Sequence, residues 1–349
     1  MYRFGIVGTG MIAPIHMAAI DKLDGATLTG LMDNGSGRGK VLAPQLDATG
    51  ADSLQAFLAR KDIDVVCIAT PSGTHAQIAI AAAQAGKHCI VEKPIEISVD
   101  KIDAMIAAHE SAGTYLGGIF NTRYTKVAQV LKRACQERRF GRLTFAGATG
   151  PWWREQSYYD DSEWKGSWAL DGGGALMNQG IHSIDLLQWF VGEPVKSVHG
   201  RIATLAHERM EAEDTGVATV EFESGALGTI ACTTSMWPGH FRTITIAGTH
   251  GTAVLADNHF LVWNVRDETE YDDAIREELL ALPGAGVGAS DPSAGVDEAG
   301  HLAVFREFLA AVDAGSRPTI DGYESRKAVA LIQAIYDSAR ADGVPVRPR

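Results

Sequence analysis

The sequence predicts an α/β protein with a doubly wound parallel sheet in its N-terminal part and a C-terminal α/β domain built on a large, mainly antiparallel sheet. In the first third, short apolar runs alternate with longer helical patterns, as expected for parallel strands joined by helices. After about residue 122, strand-like runs follow one another with little helix between them. A length of 349 residues suits about two domains, which we place at 1–122 and 123–349.

The composition excludes several classes of protein. With 46% hydrophobic and 21% charged residues, the chain can bury a core and is not expected to be disordered. No apolar run approaches the roughly 18 residues of a membrane span, and the first ten residues resemble a strand and a turn rather than a signal peptide. The net charge of −12 argues against nucleic acid as a partner.

The cysteines indicate a reducing compartment. They stand far apart in the sequence and form no C-x-x-C pair. We therefore expect neither a metal site nor a disulfide framework, and a reduced, cytoplasmic protein. The cysteines are Cys67, Cys89, Cys135 and Cys232.

Apolar runs mark the strands of the first domain. The segment Val65–Ala69 is apolar on both faces, as a parallel strand covered by helices on each side should be. Such strands alternate with helices through right-handed crossovers, which gives the doubly wound arrangement. The strand candidates are Phe4–Val7, Leu28–Met32, Val65–Ala69, His88–Val91 and Leu116–Phe120.

Two helical patterns of this domain have clear start and stop signals. They cover His75–Ala85 and Val99–Ala112. A threonine or serine precedes each helix as an N-cap candidate, and a glycine follows each as a C-terminal stop. The expected caps are Thr74 and Ser98 at the starts and Gly86 and Gly113 at the ends.

The second domain begins with a helix at Lys126–Arg138 and a strand at Leu143–Ala148, and a further helix is predicted at Ala175–Val191. The segment Pro283–Ala299 is rich in Gly, Ala, Ser and Asp and is predicted to be a loop. The remaining strands are predicted at Val195–Thr204, Val217–Phe222, Leu227–Thr234, Thr243–Ala247, Thr252–Ala256 and Phe260–Asn264, and the last helices at Leu302–Ala314 and Tyr323–Ala341.

A glycine motif after the first strand predicts a dinucleotide site. Gly8 permits a tight turn, Gly10 lets the backbone approach a pyrophosphate, and Ala13 keeps the next helix close to the strand. Asp33 follows the second strand twenty residues after Ala13, a spacing that suits a carboxylate binding the ribose hydroxyls. The alternative is an ordinary glycine turn with a surface aspartate.

The same aspartate favours NAD over NADP as the cofactor. A carboxylate repels the 2′-phosphate of NADP. Arg38, five residues further on, is the one feature that favours NADP, since it could pair with that phosphate or simply be solvated.

A Glu-Lys-Pro sequence, Glu92 to Pro94, follows the strand His88–Val91. In an open parallel sheet the carboxyl ends of the strands border the ligand crevice, so Lys93 should point toward the cofactor. The proline also restricts Lys93 to an extended backbone. The alternative is a surface lysine in a turn.

The helix predicted at Ala175–Val191 carries a polar column. Asn178, His182 and Asp185 are spaced i, i+4 and i+7 and should share one face. A solvated face is usually built from Lys and Glu, which are absent from this helix, so we favour a functional column. Gly172 to Gly174, before the helix, allow another backbone or a ligand to approach closely. The opposite, core-facing stripe is Met177, Ile181, Ile184 and Val191.

A loop rich in aromatic residues precedes this helix, and four of the seven tryptophans lie between positions 152 and 168. Aromatic faces stack on sugar rings, and Arg154 is suited to meet a carboxylate or phosphate bidentately. A packing cluster or a subunit contact explains the same pattern equally well. The aromatic residues are Trp152, Trp153, Tyr158, Tyr159, Trp164 and Trp168.

Taken together, these motifs resemble the Gfo/Idh/MocA oxidoreductase family over essentially the whole chain. The resemblance rests on the Gly8–Ala13 turn, Thr70-Pro71 with His75, the Glu-Lys-Pro sequence, the helix with His182 and Asp185, and the last helices from His301. It implies a Rossmann domain, an open-faced sheet that forms dimers or tetramers, and NAD(P)-dependent oxidation or reduction of sugars and cyclitols.

By this resemblance Lys93 and His182 would be the catalytic pair acting on a secondary hydroxyl. One position departs from the family pattern. Many inositol and glucose dehydrogenases carry aspartate four residues before the histidine, where this chain has Asn178. Its Asn-Gln-x-x-His pattern looks more like members that act on sugar derivatives or sugar nucleotides.

We therefore expect hydride transfer between a carbinol carbon and NAD, with His182 exchanging the hydroxyl proton and Lys93 stabilising the alkoxide. A non-catalytic dinucleotide sensor and an NAD-dependent glycosidase are the competing interpretations. The predicted cofactor-binding residues are Gly8, Thr9, Gly10, Met11, Ile12, Asp33, Asn34, Arg38, Thr70, Pro71, His75, Glu92, Lys93, Pro94 and Asn121. The predicted substrate-binding residues are Lys93, Arg123, Trp153, Arg154, Tyr158, Trp168, Asn178, His182 and Asp185.

Overall fold

The computed structural model describes residues 1–33, 36–280 and 298–349. Of the loop predicted at Pro283–Ala299, positions 283–297 lie outside the described residues, and the last two positions begin a helix instead. The predicted cofactor-binding residue Asn34 also lies outside them.

The chain divides into two compact units. The first consists of Met1–Asn121 with Asp297–Arg326, and the second of Thr122–Val296 with Lys327–Arg349. The sequence-based division placed everything after residue 122 in the second domain. The structure differs from it at the C-terminal end, because a helix from that region packs on the first helix of the N-terminal unit.

The first unit is built on a parallel sheet with strands β1 (Tyr2–Val7), β2 (Ala26–Met32), β3 (Thr49–Ala51), β4 (Val65–Ile68), β5 (His88–Val91) and β6 (Leu116–Gly118). Their order is β3-β2-β1-β4-β5-β6, and every pairing is parallel. All four residues of β4 are buried, as a strand covered on both faces requires. The predicted doubly wound sheet is confirmed.

The second unit carries a mostly antiparallel sheet with strands β7 (Leu143–Pro151), β8 (Val195–Ala203), β9 (Thr215–Phe222), β10 (Leu227–Thr233), β11 (Thr243–Gly248), β12 (Gly251–Ala256) and β13 (His259–Val265). Their order is β13-β12-β11-β7-β10-β9-β8, and only the pairing of β7 with β10 is parallel among these described strands. Side chains of β9 alternate between buried and solvent-facing, so one face of its sheet is open.

The α-helices of the described residues are α1 (Ala13–Asp21), α2 (Arg38–Leu42), α3 (Leu54–Leu58), α4 (His75–Gln84), α5 (Val99–Ala112), α6 (Lys126–Gln136), α7 (Gln156–Asp160), α8 (Ile181–Val191), α9 (Glu270–Leu279), α10 (Glu298–Asp313) and α11 (Gly322–Arg340). None of them is long and apolar enough to cross a membrane.

The helix stops are confirmed, and both predicted N-cap residues stand at the N-cap positions, although neither side chain caps its helix. Gly86 and Gly113 have φ of 71° and 65°, in the left-handed region that a glycine adopts without strain. Ser98 and Thr74 precede α5 and α4 without capping them through their side chains. The Thr74 hydroxyl donates instead to the carbonyl oxygen of Pro71 at 2.7 Å, which holds the preceding turn.

Candidate active site

The glycine turn after β1 has two positions that need glycine for different reasons. Gly8 has φ of 105°, and a Cβ there would lie 2.4 Å from the backbone oxygen of Ala69. Gly10 is exposed, and a Cβ there would meet no protein atom within 4 Å. Protein packing therefore does not explain Gly10, whereas the close approach of a phosphate to the start of α1 does. The turn fits a dinucleotide.

Asp33 lies directly after β2 and organises the loop that follows. Its carboxylate accepts hydrogen bonds from the backbone N–H groups of Gly37 at 3.3 Å and Gly39 at 2.5 Å. The side chain stays half-buried, so it is also accessible from solvent. Arg38, the feature that favours NADP, is exposed.

The loop after β4 is fixed by a buried histidine. The Nε2 atom of His75 lies 2.9 Å from the backbone oxygen of Thr70, and its Nδ1 atom lies 3.0 Å from that of Pro94. The ring therefore joins the loops that follow β4 and β5. Burial lowers the pKa of His75, which favours the neutral ring, and its one N–H donates to one of these two oxygens.

The other predicted cofactor-binding residues differ in exposure. A residue can contact the cofactor only if its side chain or backbone is accessible from solvent in the unliganded unit. Thr9 and Pro94 are buried, Ile12, Thr70, Pro71, Lys93 and Asn121 are half-buried, and Met11 is exposed.

Glu92, directly before Lys93, is at the centre of a buried cluster. One carboxylate oxygen, Oε1, lies 2.8 Å from Nε2 of His16 and 3.2 Å from Nε2 of His301. The other oxygen, Oε2, accepts the backbone N–H of Lys93 at 3.1 Å. Burial raises the pKa of Glu92, but the hydrogen bonds from the two histidines hold it well below its usual value. Its predicted contact with the cofactor stays a prediction.

The same three side chains offer ligand atoms within 4.8 Å of one another, a set that a divalent cation can use. A metal-bound imidazole normally donates its other N–H to a second acceptor. The Nδ1 atom of His16 is buried, and within the described part of the chain it has no hydrogen-bond partner. Hydrogen bonds from two imidazoles to one carboxylate oxygen account for this cluster more simply.

In the second unit, the helix predicted at Ala175–Val191 forms with two geometries. Residues Ala175–Gly180 are π-helical, and α8 continues from Ile181. Asn178 therefore lies in the π-helical turn and His182 in the α-helix, so the single regular face expected from the spacing is interrupted. Single π-helical turns occur frequently at functional sites. Both side chains are half-buried.

Asp185 and Arg123, two predicted substrate-binding residues, bind each other. Arg123 lies in a short 3-10 turn before α6, and its Nε and Nη2 atoms donate to the two carboxylate oxygens of Asp185 at 2.7 and 2.6 Å. Both side chains are buried, with 3% and 2% of their surface exposed. The pair joins the segment before α6 to α8. A substrate contact of either residue stays a prediction.

Gln179, which the sequence analysis did not single out, connects several predicted residues. Its Oε1 atom accepts from Nη2 of Arg154 at 2.9 Å, and its Nε2 atom donates to the hydroxyl of Tyr158 at 3.0 Å and to Oδ1 of Asn178 at 2.9 Å. Asn178 in turn donates to Asp171 at 2.7 Å. The structure thus brings Arg154, Tyr158 and Asn178 into one polar network.

The aromatic loop divides between this network and the core. The guanidinium of Arg154 lies 5.6 Å from the ring centroid of Tyr158, whose pKa burial raises to about 12. Trp153 donates to Glu155 at 2.7 Å. Trp168 instead packs edge-on against Tyr336, with ring centroids 5.1 Å apart. For Trp168 the structure thus shows packing within the protein, one of the alternatives to stacking on a sugar ring.

The glycines before the π-helical turn admit protein atoms. A Cβ on Gly173 would lie 2.0 Å from the hydroxyl of Tyr336, and one on Gly174 would lie 2.0 Å from the backbone oxygen of Glu213. Of the two explanations expected for this stretch, a close approach of protein groups is the one observed. The buried carboxylate of Glu213 also accepts the backbone N–H groups of Gly174 at 3.0 Å and Leu176 at 2.8 Å, which fixes the start of the helix.

The comparisons with known proteins agree with this geometry. Residues 2–118 match the family model for oxidoreductases with an NAD-binding Rossmann fold, and residues 128–254 match the model for the Gfo/Idh/MocA C-terminal domain. The chain belongs to the Gfo/Idh/MocA family. It is an NAD-binding oxidoreductase whose relatives act on the hydroxyl groups of sugars and cyclitols, so a purely structural explanation of the glycine turn no longer applies.

Three relatives illustrate the range of the family. The WlbA dehydrogenase from Bordetella pertussis, solved in complex with NADH and UDP-GlcNAcA, is 35% identical with a TM-score of 0.89, over 99% of this chain and 97% of that one. Myo-inositol 2-dehydrogenase of Thermotoga maritima is 24% identical over 94% of this chain and 93% of its own. The 2,7-anhydro-N-acetylneuraminate hydratase of Escherichia coli is 27% identical over 77% and 75%.

Proposed function

We propose that this protein oxidises a secondary hydroxyl of a nucleotide-linked sugar acid, with NAD as the hydride acceptor. The observation that carries the proposal is the network of Arg154, Gln179 and Asn178 beside the helix of His182. It combines a guanidinium with neutral amides. The full-length similarity to a dehydrogenase solved with UDP-GlcNAcA supports the same substrate class.

Arg154 is the group that suits an anionic sugar. It is 97% buried, and its Nη atoms donate to the carbonyl oxygen of Trp153 and to the amide oxygen of Gln179. A substrate carboxylate accepts from a guanidinium more strongly than a neutral amide does, because the hydrogen bonds are assisted by charge. Asn178, unlike an aspartate at the same position, adds no charge that would repel such a substrate.

We assign the proton handling to two side chains. His182 takes the proton of the hydroxyl group during oxidation and returns it during reduction, since an imidazole titrates near neutral pH. Lys93 acts as the hydrogen-bond donor that stabilises the developing alkoxide charge. Bound NAD supplies the hydride chemistry at its nicotinamide ring.

Within this proposal Asp33 binds the adenosine ribose and the Gly8–Ala13 turn binds the pyrophosphate. The accessible carboxylate at the end of β2 favours NAD over NADP. Tighter binding of NADPH than of NADH in a fluorescence titration would contradict this part of the proposal.

A second candidate is a reaction in which oxidation is transient and assists an elimination or hydration. The similarity to a 2,7-anhydro-N-acetylneuraminate hydratase favours it. Such a reaction consumes the substrate without net formation of NADH, so product analysis separates it from a simple dehydrogenase.

The test compares initial rates with UDP-GlcNAcA, UDP-GlcNAc and myo-inositol in the presence of NAD. We expect kcat/KM for UDP-GlcNAcA to exceed that for UDP-GlcNAc by at least about tenfold, the value of a charge-assisted hydrogen bond. Arg154→Gln should abolish this preference, whereas Arg209→Gln, at an exposed arginine, should keep it. A faster reaction with UDP-GlcNAc or myo-inositol would overturn the choice of a sugar acid.

A further inference from the structure

We propose that His16, Glu92 and His301 form a positioning clasp for Lys93, which holds the lysine backbone in place for catalysis. The inference rests on the role proposed for Lys93. It concerns three residues of the first unit: Glu92 contacts the main chain of Lys93, and the two histidines contact Glu92. Glu92 thereby has a task other than a cofactor contact.

The contacts come from three separate parts of the chain. His16 lies on α1, His301 on α10, and Glu92 directly after β5. Both imidazoles donate to Oε1 of the carboxylate, at 2.8 and 3.2 Å, while Oε2 receives the N–H of Lys93 at 3.1 Å. The carboxylate thus couples two helices to one peptide group.

The chemistry of the clasp requires an ionised Glu92. A carboxylate has only acceptors, so both of its oxygens can receive N–H donors at once, whereas an amide has an NH₂ group in place of one oxygen. All three residues are buried, with at most 7% of their surface exposed, and there each such hydrogen bond is stronger and its loss more costly than at the surface. The arrangement of donors leaves little freedom to the Lys93 peptide.

The proton of His16 is fixed at Nε2 by its surroundings. The other ring nitrogen, Nδ1, is buried without a hydrogen-bond partner among the described residues, and a proton placed there would be unsatisfied. His16 therefore has to donate toward Glu92. In Glu92→Gln, an amide NH₂ group must face either this donor or the N–H of Lys93, so one of the two contacts is lost.

Hydrogen exchange of the Lys93 amide tests the clasp without any substrate. We expect exchange at least about tenfold faster in His301→Leu than in the wild type, because loss of a hydrogen bond to a charged group loosens the carboxylate. His301→Gln places an N–H donor at the position of Nε2 and should restore slow exchange. His109→Leu is the control, since His109 is a buried histidine of the same unit bonded to Thr114.

An unchanged exchange rate of the Lys93 amide in both His301→Leu and Glu92→Gln would overturn the clasp. So would equal acceleration in His109→Leu, because the effect would then follow from any buried histidine. These outcomes do not depend on the reaction that the protein catalyses.

A double-mutant cycle with Lys93→Ala tests the functional half of the inference. If the clasp acts through the lysine, His301→Leu lowers kcat at least about tenfold in the wild-type background and has little further effect when Lys93 is alanine. The dissociation constant of NADH should stay unchanged in His301→Leu. Equal factors in both backgrounds, or weaker NADH binding with unchanged kcat, would overturn it, whereas near-normal turnover of Lys93→Ala alone would contradict the proposed function.

Discussion

At the scale of single residues, the second unit contains a buried ion pair in which each charge is compensated by its partner. Arg123 donates two short hydrogen bonds to Asp185 in the core of the second unit, and neither residue is more than 3% exposed. Removing one member leaves the other as an uncompensated charge in a medium of low dielectric constant. Arg133 on α6 and Glu137 directly after this helix form an exposed pair for which water screens the same interaction.

We expect Asp185→Asn to lower the free energy of unfolding by about 3 to 5 kcal/mol, because the guanidinium of Arg123 stays buried. Glu137→Gln, at the exposed pair, should cost less than about 0.5 kcal/mol. Calorimetry on both variants measures the difference. If the two variants melt within a degree of each other, the buried pair does not stabilise the second unit.

The proposed base is tested by His182→Ala. Turnover should fall at least about a hundredfold, the usual contribution of a general acid–base group, while NADH binds as in the wild type. His199→Ala, at an exposed histidine on β8, serves as the control and should keep full turnover. Near-normal activity of His182→Ala would remove the histidine from the mechanism.

At the scale of the element, the connection between β8 and β9 is organised by one carboxylate. Asp214 accepts the backbone N–H groups of Leu205, Ala206 and His207 at 2.7 to 3.1 Å. The ring of His207, bonded to the same carboxylate, reaches the backbone oxygen of Arg154 at 2.8 Å. This loop therefore fixes the backbone of Arg154, whose guanidinium we assign to substrate binding.

We expect Asp214→Asn to destabilise the protein at pH 7 and to affect it less in acid. Burial raises the pKa of Asp214, but the N–H donors of Ala206, Leu205 and His207 together lower it by more than burial raises it. The pKa in the folded protein therefore lies below the usual 3.8. The ionised group thus contributes stability above about pH 4, and this contribution disappears as the pH falls through the folded pKa. Melting curves of both proteins across this range should converge at low pH, and a constant difference would contradict the assignment.

The sequence predicted those elements whose own residues determine them. The strands β1, β2, β4 and β5 follow from continuous apolar runs that only a sheet covered on both faces can bury. The three-residue edge strand β3 carries no such run. The helix α9 is strongly charged, although its capping box at Thr269 and Asp272 was a readable signal.

In the candidate site, too, residues in local motifs could be predicted and residues that depend on tertiary contacts could not. Gly10, Lys93 and His182 stand in local motifs, so sequence reasoning could single them out as candidates, and their roles stay predictions. Gln179 and Glu213 were missed because their partners come from distant parts of the chain, and Glu213 in particular stands in a charged segment that resembles a solvated loop. Pairing of Arg123 with Asp185 likewise depends on tertiary contacts.

For the whole molecule, the open face of the second sheet has a consequence for assembly. Val217 on β9 and Leu227 on β10 are exposed by 46% and 59%, and Phe145 on β7 by 38%. Apolar side chains grouped on one open sheet face mark an association surface. We propose that the chain forms a dimer or tetramer through this face.

Sedimentation tests this proposal. The mass of the wild type from sedimentation should be two or four times the chain mass of 37.2 kDa. Val217→Asp combined with Leu227→Asp should shift it toward the monomer, since the buried carboxylates would repel each other and lack partners. Val41→Asp, at an exposed valine of the first unit, is the control. A monomeric wild type at micromolar concentration would contradict the proposal.

The most direct test of the account follows a labelled hydrogen rather than a rate. The protein is incubated with NAD and UDP-GlcNAcA that carries deuterium on its ring carbons, and the nicotinamide and the sugar are analysed by mass spectrometry. We expect one deuterium in NADH for each molecule of keto sugar formed, and no transfer in His182→Ala. Product formation by the wild type with all deuterium retained on the sugar would show that there is no net transfer of hydride to NAD, and the proposed oxidation would be wrong.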